Sequence, residues 1–519
     1  MMISRSGGGV VLAVLALIAF GEGRVSGDEK FNQRLETLDK SLEELRGFLK
    51  IPGISAAVVQ DQKLVWAKGY GLADQERGVA ATPQTPYRIA SLTKTFASTL
   101  LLQLVEQGKL NLDDPMSKYS PEQFKDDKVK VRHVLSHTSE GTPGARYSYN
   151  GNRFAALDDV VAKVSGKPFR QLLAENILEK IGMTESVPGQ DALSQKELLA
   201  AVGPTVAKRY EATLARIAKP YTLYGKDEMV LTGYPFRNIS TSAGLVSTVT
   251  DLAKYDIALD RGLFLQKETQ ALAWTPMTAN DGRKLPYGLG WFVQDYQGLK
   301  LYWHYGQWWQ FSSLILKIPD KNLTLILMAN SDGLSTPFGL GAGDVLNSAF
   351  ASTFLRLFVF AEKHGRPLSA PDWRLAAPAF AEQVAQLEKE AGGYTYQAER
   401  NAHARMRRYL DNRASRVRPQ VEVDPKLYDA FVGKYSQGPE YTVVIARDGN
   451  RLTWQRIGVR EGRTFTFDPE LLFPESETKF FDKTTLATVT FAKDEADKVT
   501  HILVRMGGSG PEQKLPRVP

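Results

Sequence analysis

The stretch YRIASLTKTFAS, residues 87–98, places a serine and a lysine three positions apart where the chain turns from polar to helical. Ser91 stands at the start of that helical run. Its N–H is then one of the unsatisfied donors of a first turn, and its hydroxyl lies near the positive end of the dipole. Lys94, three residues on, falls on the same face. A serine hydroxyl is a poor nucleophile until a base takes its proton, and a lysine whose pKa is lowered by burial supplies that base. Alone, S-x-x-K is equally the pattern of a helix cap followed by a solvated lysine. The residues downstream separate the two: TFASTLLLQLVEQGKL, 95–110, is strongly apolar and buries Lys94. An unpaired buried ammonium is costly, so a use for it gains weight. The arrangement suits acyl transfer.

Outward from this helix, Gly108 supplies its stop. Upstream, Phe31 to Lys50 carries apolar residues at helical spacing, and ISAAVVQ and KLVWAKGYG flank Asp61-Gln62 as a hairpin. Strand character returns late, in KLYWHYG, SSLILKIP and LTLILMAN, the last two separated by the turn residues Asp320-Lys321-Asn322. Strands at both ends with helices between them predict an α/β (α+β) unit over 28–365: one antiparallel sheet assembled from N- and C-terminal pieces and flanked by helices. A helix from near Asp344 to Phe360 finishes it. Residues 366–423, with Pro367, Pro371 and Pro378 followed by FAEQVAQLEKEA and an Arg-rich stretch, read as a basic, partly helical connector. From 424 to 519 short alternating runs such as YTVVIARDGNRLTWQ and KVTHILVRM predict a small antiparallel, lipocalin-like β-barrel.

The first residues have the form of a signal peptide: Arg5, an apolar run of eleven from Val10 to Phe20, then small residues to Gly27. We expect 1–27 to be removed on export to a periplasm or the exterior, since eleven residues fall well short of the roughly 20 that span a bilayer. With no cysteine in 519 residues, disulfides, a thiol nucleophile and thiolate metal sites are excluded. The net charge of +7 is local: residues 395–418 hold seven Arg against Glu399 and Asp411. A nucleic-acid partner is not expected, and weak contact with an anionic envelope polymer is the reading kept for this stretch.

No serine lies in G-x-S-x-G, and there is no H-E-x-x-H and no P-loop. GLGAG at 339–343 lacks the dinucleotide spacing and reads as a turn before a helix. His133 and His137 have no carboxylates placed to complete a metal site.

In order along 50–335, YRIASLTKTFASTLLLQLVEQGKLNLDDP, VKVRHVLSHTSEG, RNISTSAGLVSTVTDLAKY, YGLGWFV and WHYG resemble the serine β-lactamase-related family. That family groups class C β-lactamases, D-alanyl-D-alanine carboxypeptidases, D-aminopeptidases and esterases. The resemblance implies three elements. S-x-x-K is intact at Ser91 and Lys94. The tyrosine element is altered: Phe154, five residues after Tyr149, selects Tyr149 as the proton-relaying phenol and puts Gly151 in the asparagine slot, with Tyr147 the alternative. The third element is His304-Tyr305-Gly306, in which the N–H of Gln307 would join that of Ser91 as the oxyanion hole. Histidine for lysine weakens a positive charge, and tyrosine for threonine removes a short hydroxyl, so β-lactam and peptide carboxylates should bind less well. Trp308 and Trp309 either line an acyl pocket or belong to the core.

The implied activity is a serine hydrolase forming an acyl-enzyme on small-molecule or peptide substrates, esters or D-amino-acid amides ahead of β-lactams, with neither cofactor nor metal. The competing expectation is a catalytically idle binding module on the same scaffold. The barrel is expected to cap the site, mediate oligomerisation or do neither.

Overall fold

The apolar runs flanking Asp61-Gln62 and Asp320-Lys321-Asn322 do meet in one sheet. The computed structural model describes residues 29–519 apart from 235–236, 365–366, 439, 461–462 and 509, so the expected signal peptide lies outside the described residues. Its first eleven strands are β1 (Gly53–Gln60), β2 (Lys63–Asp74), β3 (Val79–Ala80), β4 (Tyr87–Arg88), β5 (Tyr221–Tyr224), β6 (Glu228–Leu231), β7 (Val246–Ser247), β8 (Phe292–Tyr296), β9 (Leu299–Gln307), β10 (Ser312–Ile318) and β11 (Leu323–Ala329). Seven of them form the large sheet in the order β3-β2-β1-β11-β10-β9-β8. The chain's N-terminal hairpin therefore pairs with its late strands through β1 and β11, antiparallel from Ile54–Ala329 to Gln60–Leu323.

Both faces of this sheet are covered, which is why its central strands are almost continuously apolar. On β1, Ala57 and Val59 enter one core while Ile54, Ala56 and Val58 enter the other. The first core holds α2 (Thr93–Glu106), whose Phe96, Ala97, Leu100 and Leu101 are buried. Gly108, at φ +67°, ends that helix as expected. The second core holds α1 (Glu29–Phe48) through Leu35, Leu38, Leu42 and Leu45, the apolar stripe read from the sequence.

Three expectations need adjustment. The helix expected from near Asp344 begins as α-helix only at Ala349, where the Ser348 side chain accepts from the Ala351 N–H. The β5–β6 hairpin in the middle third was not foreseen: YTLY and EMVL are too short to announce themselves. The stretch expected to be a connector forms two helices, Ala377–Glu390 and Gln397–Ala414, whose Phe380, Val384, Ala402, Met406 and Tyr409 join the second core. A buried ion pair ties this layer down: Arg356 meets Glu399 at 3.2 Å, and its Nη1 donates to the carbonyls of Leu368 and Ser369.

The C-terminal strands are β12 (Gly433–Ser436), β13 (Tyr441–Asp448), β14 (Arg451–Arg460), β15 (Arg463–Thr466), β16 (Glu470–Pro474), β17 (Lys479–Phe481), β18 (Thr488–Lys493), β19 (Val499–Arg505) and β20 (Glu512–Val518). Pairing runs β13-β12-β20-β19-β18-β17-β16-β14 and closes from β14 back to β13, an eight-stranded antiparallel barrel with β15 alongside β14. Tyr435, Val443, Trp454, Phe480, Phe491 and Val504 fill its interior, as expected at this strand number. The barrel docks on the β5–β6 region. Asp468 receives both Arg237 Nε and Nη2 at 2.9 Å, Lys483 meets Glu228 at 2.7 Å, and Phe481 stacks on Tyr224.

Candidate active site

Ser91 lies in a single 3-10 turn, Ala90–Leu92, and α2 proper begins two residues later than the sequence suggests. The reason is Ala90, whose φ of +48° no regular first turn accommodates. Such a conformation persists only where its surroundings over-determine it. Here Ser313 Oγ donates to the Ile89 carbonyl at 2.8 Å, and Thr93 Oγ1 donates to the Ala90 carbonyl at 2.7 Å while accepting from the Leu245 N–H at 3.2 Å. The turn that carries Ser91 is thus fastened to the large sheet on one side and to the segment before β7 on the other.

Lys94 is completely buried, as the apolar run after it predicts. Its Nζ lies 3.0 Å from Ser91 Oγ and 2.9 Å from the Ser242 carbonyl, with the rings of Tyr149 and Phe154 5.1 and 5.2 Å away. Burial lowers its pKa to about 7. In the neutral form, one amine hydrogen goes to the Ser242 carbonyl and the lone pair faces the Ser91 hydroxyl. That is the geometry of a general base.

Tyr149 and Tyr147 part company. Tyr147 donates its hydroxyl to the Gly341 carbonyl at 2.9 Å, within the segment GLGAG. The hydroxyl of Tyr149 is buried and meets no partner at full hydrogen-bond geometry among the described residues, with Ser91 the side chain it interacts with. Burial holds this phenol well above its ordinary pKa, the Tyr305 hydroxyl adds to the rise, and Ser91 is the neighbour that opposes it. The phenol is therefore protonated across the working pH range. At the neighbouring slot, a Cβ added to Gly151 would stand 3.8 Å from Lys94 Nζ, so this position faces the Lys94 amine even though it carries no side chain.

Two residues that sequence reasoning did not assign to the site hold Tyr149 in place. Glu140 receives hydrogen bonds from the two residues that flank Tyr149, from Ser148 Oγ at 2.6 Å and from Asn150 Nδ2. His137, left-handed at φ +55°, packs its ring 4.2 Å from that of Tyr149 at a tilt of 33° and accepts the Asn150 N–H on Nδ1 at 3.2 Å. Asn150 in turn caps the helix Gly151–Ala155 by accepting from the Arg153 N–H. The only sequence signal for Glu140 was its place inside VKVRHVLSHTSEG, and nothing local announces that it would meet residues eight and ten positions on. Ser242 was equally hidden, because its backbone oxygen does the work.

His304 is fully buried with both ring nitrogens engaged. Nδ1 faces the Tyr305 carbonyl at 2.7 Å and must donate, so Nε2 accepts from the Tyr287 hydroxyl at 2.8 Å. Burial, reinforced by the Lys94 charge, lowers its pKa to about 3. The imidazole is neutral. Tyr305 lies in the second core with Trp303, its ring 5.8 Å from that of Tyr149 and 6.0 Å from that of His304, while Gln307 and Trp309 at the strand end and turn are exposed. Gly306 is the close-approach residue of the strand: a Cβ there would lie 2.0 Å from the Ile89 carbonyl oxygen. Only glycine lets β9 come this near the turn that carries Ser91.

Residues 38–347 match the family model described as Beta-lactamase. A protein of Bacillus subtilis (strain 168), provisionally named penicillin-binding protein PbpX, is 26% identical over 298 residues, spanning 51% of this chain and 68% of that one. The solved structure of the octameric penicillin-binding protein homologue from Pyrococcus abyssi aligns over 93% of this chain and 99% of its own, with a TM-score of 0.52 at 21% identity. D-amino acid amidase from Ochrobactrum anthropi SV3, complexed with L-phenylalanine amide, aligns over 64% of this chain and 99% of its own, with a TM-score of 0.51 at 19% identity. At such identities the two structures speak to the fold alone.

Proposed function

The chain belongs to the Beta-lactamase family, and from that premise we propose that it is a serine hydrolase working through an acyl-enzyme on esters or on D-amino-acid amides and peptides. The observation that carries this reading is the Lys94 amine, completely buried, near-neutral in pKa and 3.0 Å from Ser91 Oγ. Ser91 Oγ attacks the substrate carbonyl carbon as its proton passes to Lys94 Nζ. The tetrahedral oxyanion meets the N–H groups of Ser91 and Gln307. Tyr149 gives its proton to the leaving group and takes in exchange the one that Lys94 removed from Ser91; water then attacks the acyl ester by the same proton transfers in reverse, which releases the acid and returns the proton to Ser91 Oγ. A neutral His304 offers no cation to a substrate carboxylate, which ranks β-lactams and free C-terminal peptides below neutral esters and amides.

Export of the chain without residues 1–27, to a periplasm or the exterior, belongs to the same reading, and N-terminal sequencing of secreted protein beginning at Asp28 checks it. So does self-association through the barrel, read by light scattering on chains with and without residues 424–519.

Intact-mass spectrometry of wild-type protein quenched during turnover of nitrophenyl esters or D-alanine amides should show the acyl adduct, absent in Ser91→Ala. The second reading, an idle binding module, rests on Gly151, which leaves the family's asparagine slot without a side chain. Failure of fluorescent phosphonate and penicillin probes to label Ser91 would favour it.

A further inference from the structure

Arg405, Arg408, Arg413 and Arg416 fall on one face of the helix Gln397–Ala414 and its continuation. Together with Thr336 and Pro337 they border a cavity of about 190 Å³ whose lining includes no carboxylate. One guanidinium of the four is neutralised: Arg413 meets the buried Asp332 at 2.6 Å, and the other oxygen of that carboxylate takes the Tyr409 hydroxyl. Among the described residues, Arg405 reaches only the Phe338 carbonyl, at 3.5 Å, and Arg416 Nε only Asn412 Oδ1, at 3.3 Å. Arg408 is exposed and makes no ion pair among the described residues. Burial first, and then the neighbouring Arg413 charge, hold the Arg416 guanidinium below its usual range, with Asp332 opposing them in part.

We propose that this cavity is a binding site for a phosphate-type oxyanion. Three guanidiniums without an ion-pair partner among the described residues match the tetrahedral set of oxygens of a phosphoryl group, monoester or diester, better than the two oxygens of a carboxylate. The planar fork of arginine takes two phosphate oxygens at once, which makes the residue type specific as well as the charge. The space corresponds to about six waters, room for a phosphoryl group and the first atoms of an ester substituent. None of these residues touches Ser91 or Lys94, so the inference stands or falls apart from the hydrolase reading. The same chemistry reaches the cavity from two sources, free phosphate or a phosphodiester group of a larger molecule.

Isothermal titration of the full chain at fixed ionic strength distinguishes them, with inorganic phosphate in one arm and glycerophosphoglycerol, a diester, in the other. Wild type should bind one phosphate-type group saturably. Binding should weaken at least about tenfold in Arg408→Ala/Arg416→Ala, the loss expected of two charge-assisted contacts. Tighter binding of the diester identifies the polymer-type source, and tighter binding of inorganic phosphate the free one. If the double variant does not fold, Arg408→Gln removes an exposed side chain alone and should cost about threefold to tenfold. No saturable binding by wild type, unchanged affinity in the folded variants, or acetate binding as tightly as phosphate would each overturn the proposal.

Discussion

The proton inventory of the site is set residue by residue, and it fixes a pH dependence. With the Lys94 pKa near 7, the free amine that the proposed mechanism needs as base for Ser91 grows as pH rises through that value. Tyr149, held well above its usual pKa, stays protonated over the same range. The expected pH profile of kcat/KM therefore climbs through about 7 and reaches a plateau with no falling limb below pH 9, and a profile flat from pH 5 to 9 would remove Lys94 from its role. For the two tyrosines, Tyr149→Phe should lower turnover on the order of 10² to 10⁴. Tyr147→Phe loses one hydrogen bond to the Gly341 carbonyl, about 1 kcal/mol of stability, with little change in rate. Steady-state kinetics on both variants that gave the reverse ranking would transfer the proton-relay role to Tyr147.

At the scale of elements, the site depends on two placements. The loop carrying Tyr149 is pinned by Glu140 through Ser148 and Asn150 on either side of the phenol. Glu140→Ala should lower kcat by about tenfold to a hundredfold, the cost of a misplaced catalytic group, while KM changes little. Equal loss in kcat and in thermal stability would instead mark Glu140 as structural. The other placement is β9 against the Ser91 turn. Gly306→Ala puts a methyl 2.0 Å from a backbone oxygen, which should cost about 1–3 kcal/mol in unfolding experiments and nearly all turnover. Elements of this kind were partly legible in the sequence. Alternation and turn residues gave the β1–β2 hairpin, the β10–β11 pair and the barrel strands. The two-residue strands β4 and β7 carry no periodicity to read, and Glu140 acts on residues it meets only after the loop has folded.

For the whole molecule, the outer helical layer and the barrel differ in what they contribute. Residues 377–414 belong to the core behind the sheet, and Glu399 neutralises the buried Arg356. A chain ending at 365 should fail to fold, since an uncompensated buried charge alone costs about 3–5 kcal/mol. A chain ending near 423 should remain soluble. It loses the Arg237–Asp468 contact on the segment that leads to Ser242, so its turnover should fall while its unfolding stays cooperative. Circular dichroism and gel filtration of the two truncations, alongside assays of the longer one, check this.

By itself the sequence determined the sheet built from both ends of a long unit, the buried lysine beside a serine and the small antiparallel β domain. Each of these follows from local spacing and from the cost of leaving apolar or charged groups in the wrong place. What only the tertiary structure decided was which tyrosine faces Ser91, the neutral tautomer of His304, the grip of Glu140 and the integration of 377–414 into the core. Those properties depend on contacts between residues far apart in the chain, whose burial and partners exist only once the layers have closed.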